Sequence, residues 1–287
     1  MVTRAAARPA SRTSKSPPRR PRVSLRADGD PGPFVEPLAR ALALLSVFTS
    51  HDVWLGNRDL AERTGLPAPT LSRLLRTLLA LGYLHQSAER RQYRLAAGVM
   101  ALGYAAIAHS DVQQLARPAM QLLADDSRTC VTLASRDRLE VVVIESCHGD
   151  AASLRLNLGT GTRLALANSP IGWALLAGLP DVERFYLLDH IERRFPREWS
   201  YLRRRFGEAF SQVQQRGFCM ALGEPAPEFC ILAAPLMLVG ETPMVLACIG
   251  ASAGISKARV ERELGPRLVA AAQRLQDLGR DATELES

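Results

Sequence analysis

Residues 53–95 cannot form one continuous helix, because Gly65, Pro67 and Pro69 interrupt them at close spacing. Before the break, residues 58–64 read as a short helix, with Asn57 as N-cap, Asp59 in the electropositive first turn and Gly65 closing the C-terminus. After it, from near Pro69, Leu71, Leu74, Leu75, Leu78 and Leu79 recur at helical spacing and make one apolar face. The opposite face carries Thr70, Ser72, Arg73, Arg76 and Thr77. Gly82 follows, and then two strand-like runs, 83–86 and 92–95, flank a loop containing Arg90 and Arg91. Helix, tight turn, helix and basic hairpin in that order is the pattern of a winged helix-turn-helix, which lays its second helix in a DNA major groove. Arginine forks suit guanine edges and phosphates, Ser and Thr hydroxyls suit either, and the hairpin arginines stand where a wing tip meets the backbone. Thr70, Ser72, Arg73, Arg76, Thr77, Arg90 and Arg91 are the expected DNA-binding residues, with double-stranded DNA as partner. The competing reading is a helical bundle with a solvated basic face.

Charge separates this segment from the rest. Residues 1–33 hold eight basic and two acidic side chains, residues 34–97 eight and five, and residues 98–287 20 and 22. The net charge of +7 therefore belongs to the tail and the helix-turn-helix, as suits a nucleic-acid-binding head on a near-neutral body with another task. Residues 1–33, rich in Arg, Pro, Ser and Ala, are expected to be a disordered basic tail. It is an arm adding sequence-independent DNA affinity, a segment without a role, or the product of a start codon placed too early. With 47% hydrophobic residues, the 287-residue chain can fill two modest cores. No apolar run nears the roughly 20 residues of a membrane helix, and no apolar stretch follows the basic start as a secretory signal requires. A cytoplasmic protein without membrane contact is expected. Cys130, Cys147, Cys219, Cys230 and Cys248 are odd in number and contain no C-x-x-C, so packed, reduced thiols are expected rather than disulfides or zinc. Cys147-His148 and the scattered His51, His85, His109 and His190 offer no metal spacing.

Along the chain, a helix over 37–49 offers Leu38, Ala41, Leu42, Leu45 and Phe48 to the core of a winged helix-turn-helix domain at 34–97. Residues 98–113 form a linker whose helix, 98–109, is a place for a dimer contact. Residues 114–279 form a second domain and 280–287 a disordered tail. Within the second domain Pro118 starts a helix to Ser127, and a hairpin joins 131–134 to 141–144 across residues 136–138. Residues 154–158 alternate as a half-buried strand. Helices follow at 171–177, 181–190 and 199–216, apolar strands at 229–234 and 244–250, and a closing helix at 256–278 bent by Pro266. The fold class is α+β: an N-terminal winged helix-turn-helix plus a C-terminal domain with a mainly antiparallel sheet flanked by helices.

Over nearly all of the chain after Val35, the sequence resembles the IclR-type transcriptional regulators. The resemblance rests on residues 39–45, 59–67, 73–78 and 81–83 in the first half, and on 159–164, 171–177 and 233–236 in the second. It implies a GAF-like effector-binding domain, homodimers or homotetramers, no enzyme activity, no cofactor, and regulation of promoters, with repression expected, by small organic acids or aromatic metabolites. Thr70, Ser72, Arg73 and Arg76 then fall on the recognition helix. Ser169, Pro170, Ile171 and Gly172 match the loop whose N–H groups hold an effector carboxylate, and Ile231, Cys248 and Gly250 match effector-contacting positions. The sequence departs from the family at Ala68 and Pro69, where a basic and a hydroxyl residue are usual, at Ala96 in place of a glycine, and at Ala165 in place of a proline.

The residues themselves support part of that pocket. Ser169 is a strong N-cap and Pro170 sits at N1, so a helix N-terminus favourable to anions begins there, although proline removes one donor. Phe229, Ile231 and Ala233 share one strand face, and Leu246, Cys248 and Gly250 share another. Small and apolar, these residues suit an aromatic or branched compound better than a small ketoacid. Two other readings stay open. One is a constitutive DNA binder that has lost its effector, for which Pro170 speaks. The other is a small-molecule enzyme with an incidental basic head, against which stands the lack of a nucleophile, base and orienter set. Glu224 and Glu228, close in a proline-rich loop, read as solvated carboxylates.

Overall fold

The computed structural model describes residues 35–49, 52, 54–108, 111–149, 158–223 and 227–286. The expected tail 1–33, most of the strand expected at 154–158, and Glu224, His51 and His109 lie outside the described residues. The chain divides into two compact units, with the division falling between Val99 and Met100.

The first unit contains α1 (Glu36–Ser46), β1 (Leu55–Gly56), α2 (Asn57–Thr64), α3 (Ala68–Ala80), β2 (Leu84–Ser87) and β3 (Gln92–Leu95), and ends in the first turn of α4 (Ala97–Ala108). Leu44, Leu60 and Leu75 are fully buried at its centre, with Leu71, Leu78, Leu84 and Tyr93 around them. The three strands form an antiparallel sheet in the order β1-β3-β2, so the wing has a third strand that the sequence pattern did not reveal. Two local expectations change. The N-cap of α2 is Gly56, not Asn57: the Asp59 carboxylate reaches back to accept the Gly56 N–H at 2.9 Å. In α1 the buried stripe is Ala43, Leu44 and Val47, while Leu38 and Leu42 are exposed. The segment is apolar on several faces, so periodicity alone does not choose the inward one.

The second unit begins in α4 and continues with α5 (Asp111–Ser127), β4 (Cys130–Asp137), β5 (Glu140–His148), β6 (Arg163–Ala165), α6 (Pro170–Gly178), α7 (Asp181–Arg194), α8 (Trp199–Arg216), β7 (Cys219–Leu222), β8 (Phe229–Leu236) and β9 (Met244–Ala251). A 3₁₀ turn (Ser252–Gly254), α9 (Lys257–Arg259), a π-helical turn (Val260–Leu264) and α10 (Gly265–Glu286) close it. Its six strands are antiparallel throughout, in the order β6-β5-β4-β9-β8-β7. One sheet face packs Val143, Ala233, Ala247 and Ile249 against Trp173, Leu175, Leu202 and Phe206 of α6 and α8. The other packs Val131, Leu133, Leu246 and Cys248 against Met120 of α5 and Leu264 and Leu268 of the closing helix. With helices on both sides, β9 is buried from Met244 to Gly250. Its sequence is correspondingly apolar at every position, without alternation.

Pro118 does not start a helix; α5 runs through it from Asp111. Ties to β5 on both sides hold the helix in place despite the missing N–H: the Gln113 amide donates to Ile144 O at 2.6 Å, and the Gln121 amide to His148 O at 3.1 Å. The turn of the β4–β5 hairpin is Arg138-Leu139, further on than expected. Pro266 acts differently from a simple bend: the turn immediately before Gly265 and Pro266 widens to π geometry, absorbing the donor that proline lacks. The closing helix continues to Glu286, beyond the boundary expected at 279, so residues 280–286 are helical rather than a disordered tail.

Candidate functional site

In the first unit, the turn between α2 and α3 depends on Gly65, left-handed at φ 70°, whose N–H closes α2 on Ala61 O at 2.8 Å. The buried Thr64 hydroxyl donates to Leu60 O at 2.7 Å and accepts the Leu66 N–H at 3.3 Å, fixing the corner from inside. Pro67 caps α3 with extended backbone, and α3 buries Leu71, Leu75 and Leu78. Ser72, Arg73, Arg76 and Thr77 are exposed together on its outer face, and Thr70 is half-buried at its start. Among the described residues, neither Arg73 nor Arg76 forms an ion pair. The Thr77 hydroxyl already donates to Arg73 O at 3.1 Å, which leaves it as an acceptor. Arg90 and Arg91 occupy the tip between β2 and β3; Arg91 is left-handed at φ 51°, and its N–H closes the turn on Ser87 O at 3.0 Å.

Two features near this face escape a reading of the sequence. Arg63 resembles a surface cation but is structural: it bridges the Asp52 carboxylate, 2.9 Å from Nη2, and Val47 O, 3.1 Å from Nη1. Its hydrogen bond to Asp52 raises its pKa above the usual arginine value. Arg94 lies opposite His85 on the outer face of the wing sheet, with its guanidinium 5.0 Å from the centre of the Trp54 ring. The alternation with buried Tyr93 was the available signal for that outward face.

In the second unit a cavity of about 280 Å³ opens between the sheet and the start of α6. Ser169, Pro170 and Ile171 line it from the helix end, Phe229 and Ile231 from β8, and Ile249 from β9. Leu158, Leu164, Ala165 and Asn168 complete the described wall, which holds no charged side chain. Ser169 is the N-cap, accepting the Ile171 N–H at 3.2 Å, and Pro170 has none to offer. Among the described residues, Gly172 is the one of the first three positions of α6 whose N–H has no partner.

Three expected effector residues fall elsewhere. Gly172 sits against the chain at Leu166, where a Cβ would come within 2.2 Å of Leu166 O; it is small for packing and does not line the cavity. Cys248 and Gly250 are on the opposite sheet face: Cys248 belongs to the layer under α5 and the closing helix, and a Cβ on Gly250 would strike Ile255. The cross-strand partner of Ile231 is Ile249, and directly paired residues share a face, so the inward set on β9 is shifted by one residue from the expected one.

A second, open hollow of about 450 Å³ lies over α7, where Arg136 and Glu183 form an ion pair at 2.6 Å. The five cysteines are free and buried. Burial pushes the Cys219 and Cys248 thiols up to about 12, and the Cys219 thiol donates to Pro170 O at 3.4 Å. No group of metal-ligating side chains occurs among the described residues.

Residues 37–88 match the family profile of the IclR helix-turn-helix domain, and residues 104–277 that of the bacterial transcriptional regulator IclR C-terminal domain. This chain belongs to the IclR family of transcriptional regulators. It is 31% identical to the HTH-type transcriptional regulator TsaQ1/TsaQ2 of Comamonas testosteroni over 85% of this chain and 88% of that one. The crystal structure of an IclR family transcriptional regulator from Brucella abortus superposes with a TM-score of 0.77 at 36% identity, covering 88% of this chain and 97% of that one. The fold is shared with an IclR homologue from Microbacterium hydrocarbonoxydans crystallised with 4-hydroxybenzoate, at a TM-score of 0.60 and 21% identity, covering 83% and 99% of the two chains. As in other IclR regulators, the helix-turn-helix is the DNA-binding part, and the face of α3 described above is its outward surface. Among the described residues, no helix is long and apolar enough to cross a membrane.

Proposed function

We propose that this chain is a ligand-responsive IclR regulator. It reads promoter DNA with Thr70, Ser72, Arg73, Arg76 and Thr77 of α3 and with Arg90 and Arg91 of the wing, and senses a one-ring aromatic or small organic acid in the α6 cavity. The observation that carries the reading is the pair of arginines on the exposed face of α3, without acidic partners among the described residues, on a helix whose other face is the domain core. A homodimer or homotetramer in the cytoplasm sets two such helices in successive major grooves, and the regulator represses until its effector arrives. Regulation follows if effector affinity differs between the DNA-competent and incompetent states.

The cavity argues for the ligand class. At about 280 Å³ it sits at the lower end of the roughly 300–1,000 Å³ usual for small-molecule pockets. Its described wall is apolar, with Asn168 and Ser169 at one end. The 4-hydroxybenzoate held by the Microbacterium homologue is of that size and type. A second reading, a constitutive regulator without an effector, draws on Pro170, which removes a donor where a carboxylate would dock. Gel shifts on the chain's own upstream DNA, with excess nonspecific competitor and with benzoate, 4-hydroxybenzoate or pyruvate added, separate the two. Release or tightening by an aromatic acid supports the first; a shift insensitive to every metabolite tried supports the second, and a response to pyruvate alone rejects the aromatic class.

A further inference from the structure

The described part of the first unit holds eight arginines and no lysine. Arg40, Arg58 and Arg63 are paired with Glu36, Glu62 and Asp52. Among the described residues, Arg73, Arg76, Arg90, Arg91 and Arg94 have no acidic partner. Four of these five are the arginines read above as DNA contacts, and the fifth is Arg94. It is exposed on β3, three residues beyond Arg91. At about 3.3 Å per strand residue, its Cα stands roughly 10 Å from the wing tip. A duplex carries a phosphate charge about every 1.7 Å of its axis, so a backbone that meets the tip runs on within reach of a long side chain there. The surroundings hold the cation in place. Its guanidinium lies 5.0 Å from the centre of the Trp54 ring, and that ring lies 6.0 Å from His85, the cross-strand partner of Arg94. A ring face orients a guanidinium without consuming its N–H donors, which stay open to phosphate oxygens. At Arg63, by contrast, Asp52 and Val47 O take the donors up.

We propose that Arg94 is a further DNA phosphate contact and Trp54 its positioning residue, so that the wing grips the DNA backbone with its outer sheet face as well as its tip. The inference rests on the proposed contact of the wing with DNA. A guanidinium already held by a ring loses less side-chain freedom on binding than one free in solvent. Phosphate contacts carry no sequence information, so Arg94 and Trp54 contribute to affinity for every duplex and not to the choice between operators.

Fluorescence anisotropy on the full chain tests this, with its upstream DNA and an unrelated duplex of equal length, each over a range of salt. Arg94→Gln is expected to weaken binding to both duplexes alike, by roughly three- to tenfold near 0.1 M salt, and to lower the slope of log affinity against log salt by about 1. Arg94→Lys keeps the charge and is expected to keep the slope. Trp54→Leu is expected to weaken binding by a smaller factor, and to have no further effect once residue 94 is glutamine; a tryptophan that served the fold alone would weaken both backgrounds equally. An unchanged slope in Arg94→Gln overturns the contact, as does a loss of binding that follows a lowered melting temperature in the glutamine and lysine variants alike. Additive losses in the double variant overturn the role of Trp54. If Arg90→Ala lowers the slope and Arg94→Gln does not, only this inference fails. If neither lowers it, the reading of the wing as a DNA contact fails with it.

Discussion

Helices α3 and α6 both begin next to proline, α3 behind Pro67 and α6 at Pro170, and they serve opposite ends. In α3 one face is buried and the other carries exposed Ser72, Arg73, Arg76 and Thr77. In α6 every residue from Pro170 to Leu176 is buried. A helix that reads a partner must leave polar groups outside the core, and so separates binding from stability. A helix that shapes a cavity contributes apolar wall and backbone ends, and there the two are joined. Substitutions on α3 should therefore alter affinity without melting the protein, while substitutions on α6 should do both.

The largest break in that contrast comes from Trp173, which is buried, donates to Ala167 O at 2.6 Å and lies under the Arg205 guanidinium at 4.9 Å. Trp173→Ala is expected to lower unfolding stability by about 3–5 kcal/mol in a urea titration; a loss below 1 kcal/mol means that α6 is not held by its core side. Next comes Arg73→Ala, expected to weaken operator binding by about 1–3 kcal/mol in a gel shift, with an unchanged melting temperature. Equal affinity at moderate salt removes Arg73 from the reading face, and a lowered melting temperature removes the separation between binding and stability. Ser169→Ala strips the cap of α6 and is expected to cost about 1 kcal/mol of stability together with a change in ligand affinity. If only stability responds, the helix end does not touch the ligand. Arg90→Ala is the smallest: binding to all DNA sequences weakens alike, and the slope of log affinity against log salt drops by about 1. A change confined to one operator sequence instead makes Arg90 a base reader.

The legibility of the chain follows the same division. The reading head was visible because one side of its helices faces water, so polar and apolar residues alternate at a measurable period and the turn residues punctuate them. Gly65, Gly82 and Gly217 mark real stops, and the 199–216 helix lies where its pattern put it. The cavity was only half visible. Phe229 and Ile231 line it, but β9 is covered on both faces, so no alternation distinguished Cys248 and Gly250 from Ile249; only the pairing with β8 does. The same ambiguity misplaced the inward stripe of α1. Pairings between distant residues left no local trace at all, which is why the tie of Arg63 to Asp52 and Val47 drew no notice.

Among the described non-glycine residues, Arg91, Arg128 and Arg138 have left-handed backbones. At the wing tip this has an evolutionary consequence. A left-handed turn favours glycine by roughly 1–2 kcal/mol over other residues, whereas a tip that approaches phosphate favours a cation. Position 91 cannot satisfy both. On the function proposed above, heat resistance alone would favour glycine at position 91 and blunt the wing, while contact with phosphate would favour the arginine at the expense of the hairpin.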